Sequence, residues 1–280
     1  MTWAVAKRAS GTRRPGAPPA SSGHVRDEEG FGLGRKTGLW LMRQEIVPEM
    51  LTDATVVVFD VLLATTTLLA IAEHGARSIR AVATLAEAEA LRVGPDGPRI
   101  LGGEQGGYKA PGMDRGPLPT EYPPEVVAGR DVVFVSTNGT PTLAAVAPAR
   151  TVLLGCLRNA PAVARVLDAR TTEDLYLICA GSRGHASWED FLAAAAVLDA
   201  IADPGELNDA ALIARDFGAR HRGALGTLLP RGRVGRWLAA RGYADVLAYA
   251  GEVGASDLVL EATVDGIRPV SAAHPARRGA

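Results

Sequence analysis

The stretch 56-VVVFDVLLATTT-67 decides the fold of this chain. Residues 56–59 form a continuous apolar run rich in β-branched side chains, which is typical of a parallel strand buried on both faces. The run ends at Asp60 and gives way to a threonine-rich helix start at 65–67. Gly75, just past the last apolar-periodic residue, is an expected stop signal for that helix. The pattern therefore predicts a strand, a polar turn and a helix.

The same succession recurs twice along the chain. Residues 132–135 lead to 136-STNGT-140, and residues 175–179 lead to 180-AGS-182. In a parallel α/β sheet the carboxyl ends of the strands face one edge, where ligands bind. Helix N-termini at that edge offer free N–H groups and a partial positive charge, which suits an anion. The repetition predicts an α/β fold with a mainly parallel sheet flanked by helices in three layers.

The composition and the hydrophobic periodicity of the sequence divide the chain into four segments. Residues 1–37 are rich in Pro, Gly and charged residues and predict a disordered N-terminal tail. Strand and helix patterns alternate over 38–204, the predicted α/β core that would carry the active site. Helical patterns dominate 205–268, predicted as a helix-rich C-terminal lobe, and the remainder, 269–280, is predicted to be a disordered tail.

Composition argues against a nucleic-acid binder and a membrane protein. The 30 Lys and Arg against 31 Asp and Glu give a formal net charge of -1. The chain therefore has no net positive electrostatic field that would attract nucleic acid. Arginines near the C-terminus are interpreted as a solvated helix face: Arg231, Arg233, Arg236 and Arg241. No apolar run reaches the roughly 18 residues that a membrane span needs.

The two cysteines, Cys156 and Cys179, each lie in an apolar, strand-like run. They have no metal-binding spacing and form no disulfide framework, which favours a reducing compartment and hence a cytoplasmic protein. The sequence leaves the oligomeric state open, a homo-oligomer included.

Three acidic side chains fall where the predicted sheet edge is expected. Asp60 ends the first strand, Glu104 lies in the glycine-rich loop 102-GGEQGG-107, and Glu189 follows the third strand. Acids beside anion-binding helix starts indicate a divalent metal such as Mg²⁺, which prefers oxygen ligands. For Asp60 two alternatives are open, direct attack on phosphorus and a structural role toward loop N–H groups. An incidental glycine turn is the alternative for Glu104.

Hydroxyls, amides and glycines at the three strand ends are the candidate substrate contacts: Thr65, Thr66, Asn138, Gly139, Thr140 and Gly181. Asn and Gly adopt the left-handed conformations that form anion-binding nests. The alternative is structural, with the threonines capping helices. Ser187 and Asp190 have the spacing of a capping box, which leaves Glu189 free to face the crevice.

Taken in order, the segments 57–67, 101–107, 136–140 and 179–191 resemble one family, the 2-phosphosulfolactate phosphatases of coenzyme M biosynthesis. The resemblance implies a fold peculiar to that family and a Mg²⁺-dependent hydrolysis of a small anionic phosphomonoester, 2-phosphosulfolactate, to sulfolactate and phosphate. It also implies that the metal ligands and catalytic acids are among Asp60, Glu104 and Glu189, and that the candidate contacts above hold phosphate or sulfonate oxygens.

The chain departs from the family pattern at Leu63 and Gln105, where the family typically has arginine. Each loss removes a guanidinium fork, a strong partner for phosphate or sulfonate. Arg115, Arg158 and Arg183 are the candidates to compensate. The departures keep two alternative functions open: a diverged hydrolase for a less charged phosphoester, and a non-catalytic protein that binds small anions on the same scaffold.

Overall fold

A computed structural model describes residues 34–170 and 172–270. Its strands are β1 (Lys36–Trp40), β2 (Thr55–Phe59), β3 (Ser78–Val82), β4 (Val93–Gly94), β5 (Gly97–Pro98), β6 (Ile100–Gln105), β7 (Tyr108–Lys109), β8 (Asp131–Val135), β9 (Thr151–Gly155), β10 (Leu175–Cys179), β11 (Glu206–Leu207), β12 (Val259–Thr263) and β13 (Gly266–Val270). An 11-stranded sheet has the order β11-β1-β10-β2-β9-β12-β13-β3-β8-β6-β7, while β4 and β5 pair separately.

The α-helices are α1 (Thr66–Glu73), α2 (Leu85–Ala90), α3 (Pro124–Val127), α4 (Gly139–Ala145), α5 (Ala160–Asp168), α6 (Trp188–Ala200), α7 (Asp209–Arg220), α8 (Arg233–Ala239) and α9 (Ala244–Ala250). A π-helical turn, Val61–Thr65, precedes α1, and a 3₁₀ segment, Leu225–Arg231, precedes α8. Helix α6 packs between α5 and α7 and against β10. The predicted α/β class, a mainly parallel sheet flanked by helices, is confirmed.

One half of the sheet contains the parallel strands β1, β10, β2 and β9. Val57 of β2 lies in register with Leu177 on one side and Leu153 on the other, and all three side chains are buried. A strand flanked by two others and covered on both faces can be apolar throughout, which explains the uninterrupted apolar run over residues 56–59.

The C-terminal strands close the gap between the two parallel parts of the sheet. Strand β12 runs antiparallel to β9, and β13 runs antiparallel to both β12 and β3. The range 205–268, predicted as a helix-rich lobe, thus also supplies strands to the central sheet. Strands β1 and β13 extend into the ranges predicted as disordered tails; the rest of those tails, 1–33 and 271–280, lies outside the described residues.

Asn208 joins the C-terminal helices to the sheet. Its side-chain oxygen caps α7 by accepting the N–H of Ala211 at 2.9 Å, and it also accepts the N–H of Leu39 in β1 at 3.1 Å. Its amide donates to the Leu39 carbonyl at 3.2 Å. In the described part of the chain, no helix combines the length and apolar character needed to cross a membrane.

Strong curvature brings distant strand ends together. Strands β2 and β8 are separated by β9, β12, β13 and β3 in the sheet order. Nevertheless Asp60, directly after β2, accepts hydrogen bonds from residues directly after β8, namely the N–H of Gly139 and the hydroxyl of Ser136. The carboxyl ends of the two strands therefore face each other across a cleft.

Candidate active site

The cleft has a volume of about 170 Å³. Its walls come from five segments: Asp60 and the turn Leu62, Leu63, Ala64; the hairpin residues Glu104, Gly106, Gly107; the loop Ser136, Thr137, Asn138; the turn residues Ser182 and Arg183; and Arg233, Val234 and Trp237 of α8. It thus unites the three strand ends predicted from the sequence with the glycine-rich loop and with a helix that the sequence did not associate with them.

Asp60 is a buried carboxylate in this cleft, with 7% of its surface exposed. Burial raises its pKa to about 7, and the negative charges of Glu104 and Glu189 act in the same direction. The hydrogen bonds from Gly139 and Ser136 only partly oppose this effect. The carboxylate therefore lies in a desolvated, electronegative position that a cation or a proton would relieve.

Glu104 ties the glycine-rich hairpin to the loop after β8. Its carboxylate accepts the N–H of Thr137 and, at 2.6 Å, the N–H of Gly107. The Thr137 hydroxyl in turn accepts the N–H of Gly106 at 3.1 Å. These bonds give Glu104 a fixed place on the cleft wall, so the residue is more than an incidental part of a turn.

A glycine is required where β6 approaches β8. Gly103 has φ +127°, and a β-carbon there would lie 1.9 Å from the carbonyl oxygen of Val135. A backbone this close to its neighbour excludes every side chain. Glycine in this loop therefore allows β6 to approach β8 closely, and this approach determines the position of Glu104.

Glu189 is adjacent to the cleft but does not line it. It is 3% exposed, and its carboxylate packs against Gly232 at the start of α8. Burial raises its pKa, while hydrogen bonds from its own N–H and from Ser187 and the positive charge of Arg233 oppose the rise. Of the three predicted metal ligands, the structure therefore places Asp60 and Glu104 on the cleft wall and Glu189 behind it.

Asp190 has a role that the sequence analysis missed. The predicted cap is present, since the Ser187 hydroxyl accepts the N–H of Asp190 at 3.4 Å. The Asp190 carboxylate, however, accepts the N–H of Val61 at 2.9 Å and that of Gly181 at 3.1 Å. Burial, followed by the charges of Asp60 and Glu189, raises its pKa well above the usual range. Asp190 thus joins the ends of β2 and β10 beneath the cleft.

Most of the predicted substrate contacts have their polar groups engaged within the protein. The Thr66 hydroxyl donates to the Val61 carbonyl at 2.8 Å, and that of Thr140 donates to the Ser136 carbonyl at 2.8 Å. Thr65 donates its N–H to the Asp60 carbonyl at 2.8 Å. Gly181 donates its N–H to Asp190, as described above.

Asn138 and Gly139 are the predicted contacts nearest to the cleft. The Asn138 side chain lines it, and its amide has no hydrogen-bond partner among the described residues. Gly139 donates its N–H to Asp60 and leaves room for that carboxylate. Asn138 therefore has donors to offer to a bound anion, while Gly139 acts through Asp60.

The positions that depart from the family pattern differ in location. Leu63 is part of the cleft wall and makes it apolar there, whereas Gln105 is exposed at the end of β6 and does not line the cleft. Arg158 pairs with Glu252, stacks on Tyr249 at 3.8 Å from the ring centre and does not line the cleft. Arg115 also lies off the cleft wall.

Two arginines line the cleft, Arg183 and Arg233. Arg183 was one of the predicted replacements. Arg233, interpreted from the sequence as part of a solvated face, is exposed and also donates to the hydroxyl of Ser182. This contact joins residues 51 positions apart. No local sequence signal reports it, because it depends on where α8 docks.

The sequence matches the family model described as 2-phosphosulpholactate phosphatase over residues 40–264. The chain belongs to the 2-phosphosulfolactate phosphatase family. The resemblance stated from the motifs is thereby confirmed, and with it the assignment to a family of phosphatases.

Relatives of the family support this membership over most of their length. A protein of Symbiobacterium thermophilum is 37% identical over 212 residues, which cover 74% of this chain and 90% of the relative. One of Deinococcus radiodurans is 35% identical over 222 residues, covering 78% and 91%. One of Carboxydothermus hydrogenoformans is 36% identical over 211 residues, covering 75% and 86%. Each of these relatives carries the name "Probable 2-phosphosulfolactate phosphatase".

Proposed function

We propose that this chain is a Mg²⁺-dependent phosphatase that hydrolyses 2-phosphosulfolactate to sulfolactate and phosphate, as a cytoplasmic enzyme of coenzyme M biosynthesis. The observation that carries the proposal is the desolvated Asp60 carboxylate, which lines a small cleft together with Glu104 in a member of this family. A buried acid beside a second acid is suited to holding a cation that neutralises a phosphoryl group.

The donor set of the cleft fits Mg²⁺. Carboxylates and hydroxyls line it, and none of the described lining residues is His or Cys. Within the described ranges no three His, Cys, Asp or Glu side chains converge on one point. Mg²⁺ is usually held by one or two carboxylates and completes its octahedron with water and substrate phosphate oxygens. Asp60 and Glu104 would therefore hold the ion, and Glu189 would add negative charge from behind.

The chain's own groups then have distinct tasks. When bound, Mg²⁺ would polarise the phosphoryl group and offset the negative charge that develops as water attacks in line. Ser136 and Gly139 hold the Asp60 carboxylate by hydrogen bonds. The amide of Asn138 is placed to donate to a phosphoryl oxygen. The apolar turn at Leu62 and Leu63 excludes water from one side of the cleft, which strengthens the remaining electrostatic contacts.

Phosphate release tests this proposal. The purified protein is incubated with 2-phosphosulfolactate in Mg²⁺ or in EDTA, and inorganic phosphate is measured over time. We expect turnover in Mg²⁺ and none in EDTA, and Asp60→Asn should lose the Mg²⁺-dependent rate by at least about a hundredfold.

Four other outcomes would contradict the proposal in different ways. Turnover that persists in EDTA would show that the reaction needs no metal ion. Full activity of Asp60→Asn would show that this carboxylate has no part in the site. Release only from phosphomonoesters without further charges, for which Leu63 in the wall is the motivating observation, would favour a diverged hydrolase. Absence of release from every ester, with retained phosphate binding, would favour a small-anion binding protein.

A further inference from the structure

The wall of the cleft carries charged side chains of both signs. Asp60 and Glu104 contribute carboxylates on the side of β2 and β6, whereas Arg183 and Arg233 contribute guanidinium groups from the turn after β10 and from α8. Among the described residues that line the cleft, no other side chain is basic. An ion held by the two acids would leave the arginines for a different anionic group.

Arg233 is fixed in place while most of its donors remain available. One of its terminal nitrogens donates to the hydroxyl of Ser182, which itself lines the cleft. A guanidinium group carries five N–H donors in a planar fork. The described part of the chain gives Arg233 no other hydrogen-bond partner, so the remaining donors are free for a ligand.

Arg183 is presented by a strained turn. Backbone bonds between Ser182 and His185, at 2.8 and 3.1 Å, close the turn, and Arg183 at its tip has φ +55°. A left-handed conformation is uncommon and unfavourable for a residue with a long side chain. The exposed guanidinium has no hydrogen-bond or ion-pair partner among the described residues. Such strain clusters at ligand-binding positions.

We propose that Arg183 and Arg233 together bind the anionic group of the substrate that is not transferred, and so determine specificity for phosphomonoesters that carry a further carboxylate or sulfonate. The proposal rests on the proposed function. Ser182 is a positioning residue, since its hydroxyl orients Arg233 and its backbone is part of the turn that presents Arg183. Planar forks bind carboxylates and sulfonates through paired hydrogen bonds, which a lysine does not reproduce.

Equilibrium binding tests the arginines without any turnover. Sulfolactate carries a carboxylate and a sulfonate but no phosphate, so its binding in EDTA, measured by calorimetry, reports on the proposed position alone. We expect Arg183→Ala and Arg233→Ala each to weaken binding about tenfold or more, because a charge-assisted bond is lost. The Arg233→Lys variant should keep the positive charge near Glu189, yet it should bind sulfolactate weakly.

Arg231→Ala is the matched control. Arg231 is exposed, precedes α8 and does not line the cleft, so its removal changes the net charge of the protein equally. Its affinity for sulfolactate should equal that of the unaltered chain. If the unaltered chain fails to bind sulfolactate, or if Arg231→Ala weakens binding as much as Arg233→Ala, the proposal is overturned.

Kinetics provide a second readout. The ratio of kcat/KM for 2-phosphosulfolactate to kcat/KM for ethyl phosphate, a monoester without another anion, should fall at least tenfold in each alanine variant, chiefly through KM. An equal loss toward both esters would assign the arginines to the phosphoryl group and contradict the proposal. If the protein turns over no ester but still binds sulfolactate through the two arginines, the proposed phosphatase activity is refuted and the proposed anion-binding role of the arginines is retained.

Discussion

Gly139 lies so close to Asp60 that a β-carbon added to it would be 2.6 Å from the Asp60 Oδ2 atom. The same glycine donates its N–H to that carboxylate, although the two residues follow strands that four others separate in the sheet. The contact is possible only because the sheet curves and because position 139 has no side chain. Gly139 therefore determines where the central acid of the cleft can lie.

Gly139→Ala should displace the Asp60 carboxylate. Helical backbone tolerates alanine, so the damage should come from the added methyl group, which must push Asp60 or Ser136 aside. We expect a decrease in kcat of about a hundredfold, with a loss of about 1–3 kcal/mol in unfolding free energy from overpacking. Phosphate release and thermal unfolding measure the two effects.

The control for this substitution is Gly34→Ala, because a β-carbon at Gly34 would meet no atom within 4 Å. It should leave both the rate and the melting temperature unchanged. Full activity of Gly139→Ala would mean that the acid need not occupy its present position.

The raised pKa of Asp60 makes the metal-free protein sensitive to pH. Its carboxyl has a pKa of about 7 in the folded protein, whereas an unfolded Asp titrates near about 3.9. Between these values the folded state binds more protons than the unfolded state, so stability falls as pH rises through that window. In EDTA, the melting temperature should therefore fall from pH 5 to pH 8, and less so in Asp60→Asn.

Mg²⁺ should reverse this trend, because a bound cation offsets the burial and the repulsion from Glu104 and Glu189 that raise the pKa of Asp60. We expect Mg²⁺ to raise the melting temperature of the unaltered protein at pH 8 more than at pH 5, and to have little effect on Asp60→Asn. A pH profile that is identical in the two proteins would show that Asp60 does not carry the effect.

Much of the fold follows from local sequence. The apolar runs at 56–59 and 175–179 predict β2 and β10 because burial on both faces leaves no place for polar residues. Ser187 and Asp190 likewise predict the start of α6 through their capping pattern. Each of these signals lies within a few residues, where backbone geometry and side-chain chemistry act directly on one another.

The rest of the fold and site depends on contacts between distant residues. No local sequence pattern predicts that β12 and β13 enter the sheet between β9 and β3. None predicts that this curved sheet brings Asp60 and Gly139 into contact. Arg233 and Asp190 illustrate the same limit within the site. Their charges are visible in the sequence, but their partners Ser182 and Gly181 are determined only by how the helices dock.

Asp190→Ala tests the connection beneath the cleft. The substitution would leave the N–H groups of Val61 and Gly181 without their carboxylate acceptor in a buried place. Each unsatisfied group costs about 1–3 kcal/mol, so the two together should cost about 2–6 kcal/mol of unfolding free energy. Relief of the charge repulsion with Asp60 offsets part of that loss. Denaturant titration measures it.

Ser187→Ala is a useful comparison, since it removes the helix cap and the hydroxyl's hydrogen bond to Glu189 but leaves the Asp190 carboxylate, and it should cost about 1 kcal/mol. Equal losses in Ser187→Ala and Asp190→Ala would mean that the carboxylate does no more than cap α6.

Asp131 should set the stability of the protein in acid. Hydrogen bonds from Arg77 at 2.8 and 2.6 Å, and from Ser78 at 2.7 Å, stabilise its charged form and lower its pKa to about 2. The unfolded chain would protonate this residue near about pH 3.9. The folded state thus binds fewer protons between these values, and the stabilisation, complete above about pH 4, is lost as pH falls toward 2. Asp131→Asn should show a smaller loss of melting temperature between pH 5 and pH 3 than the unaltered chain, and an equal loss would place the acid-sensitive group elsewhere.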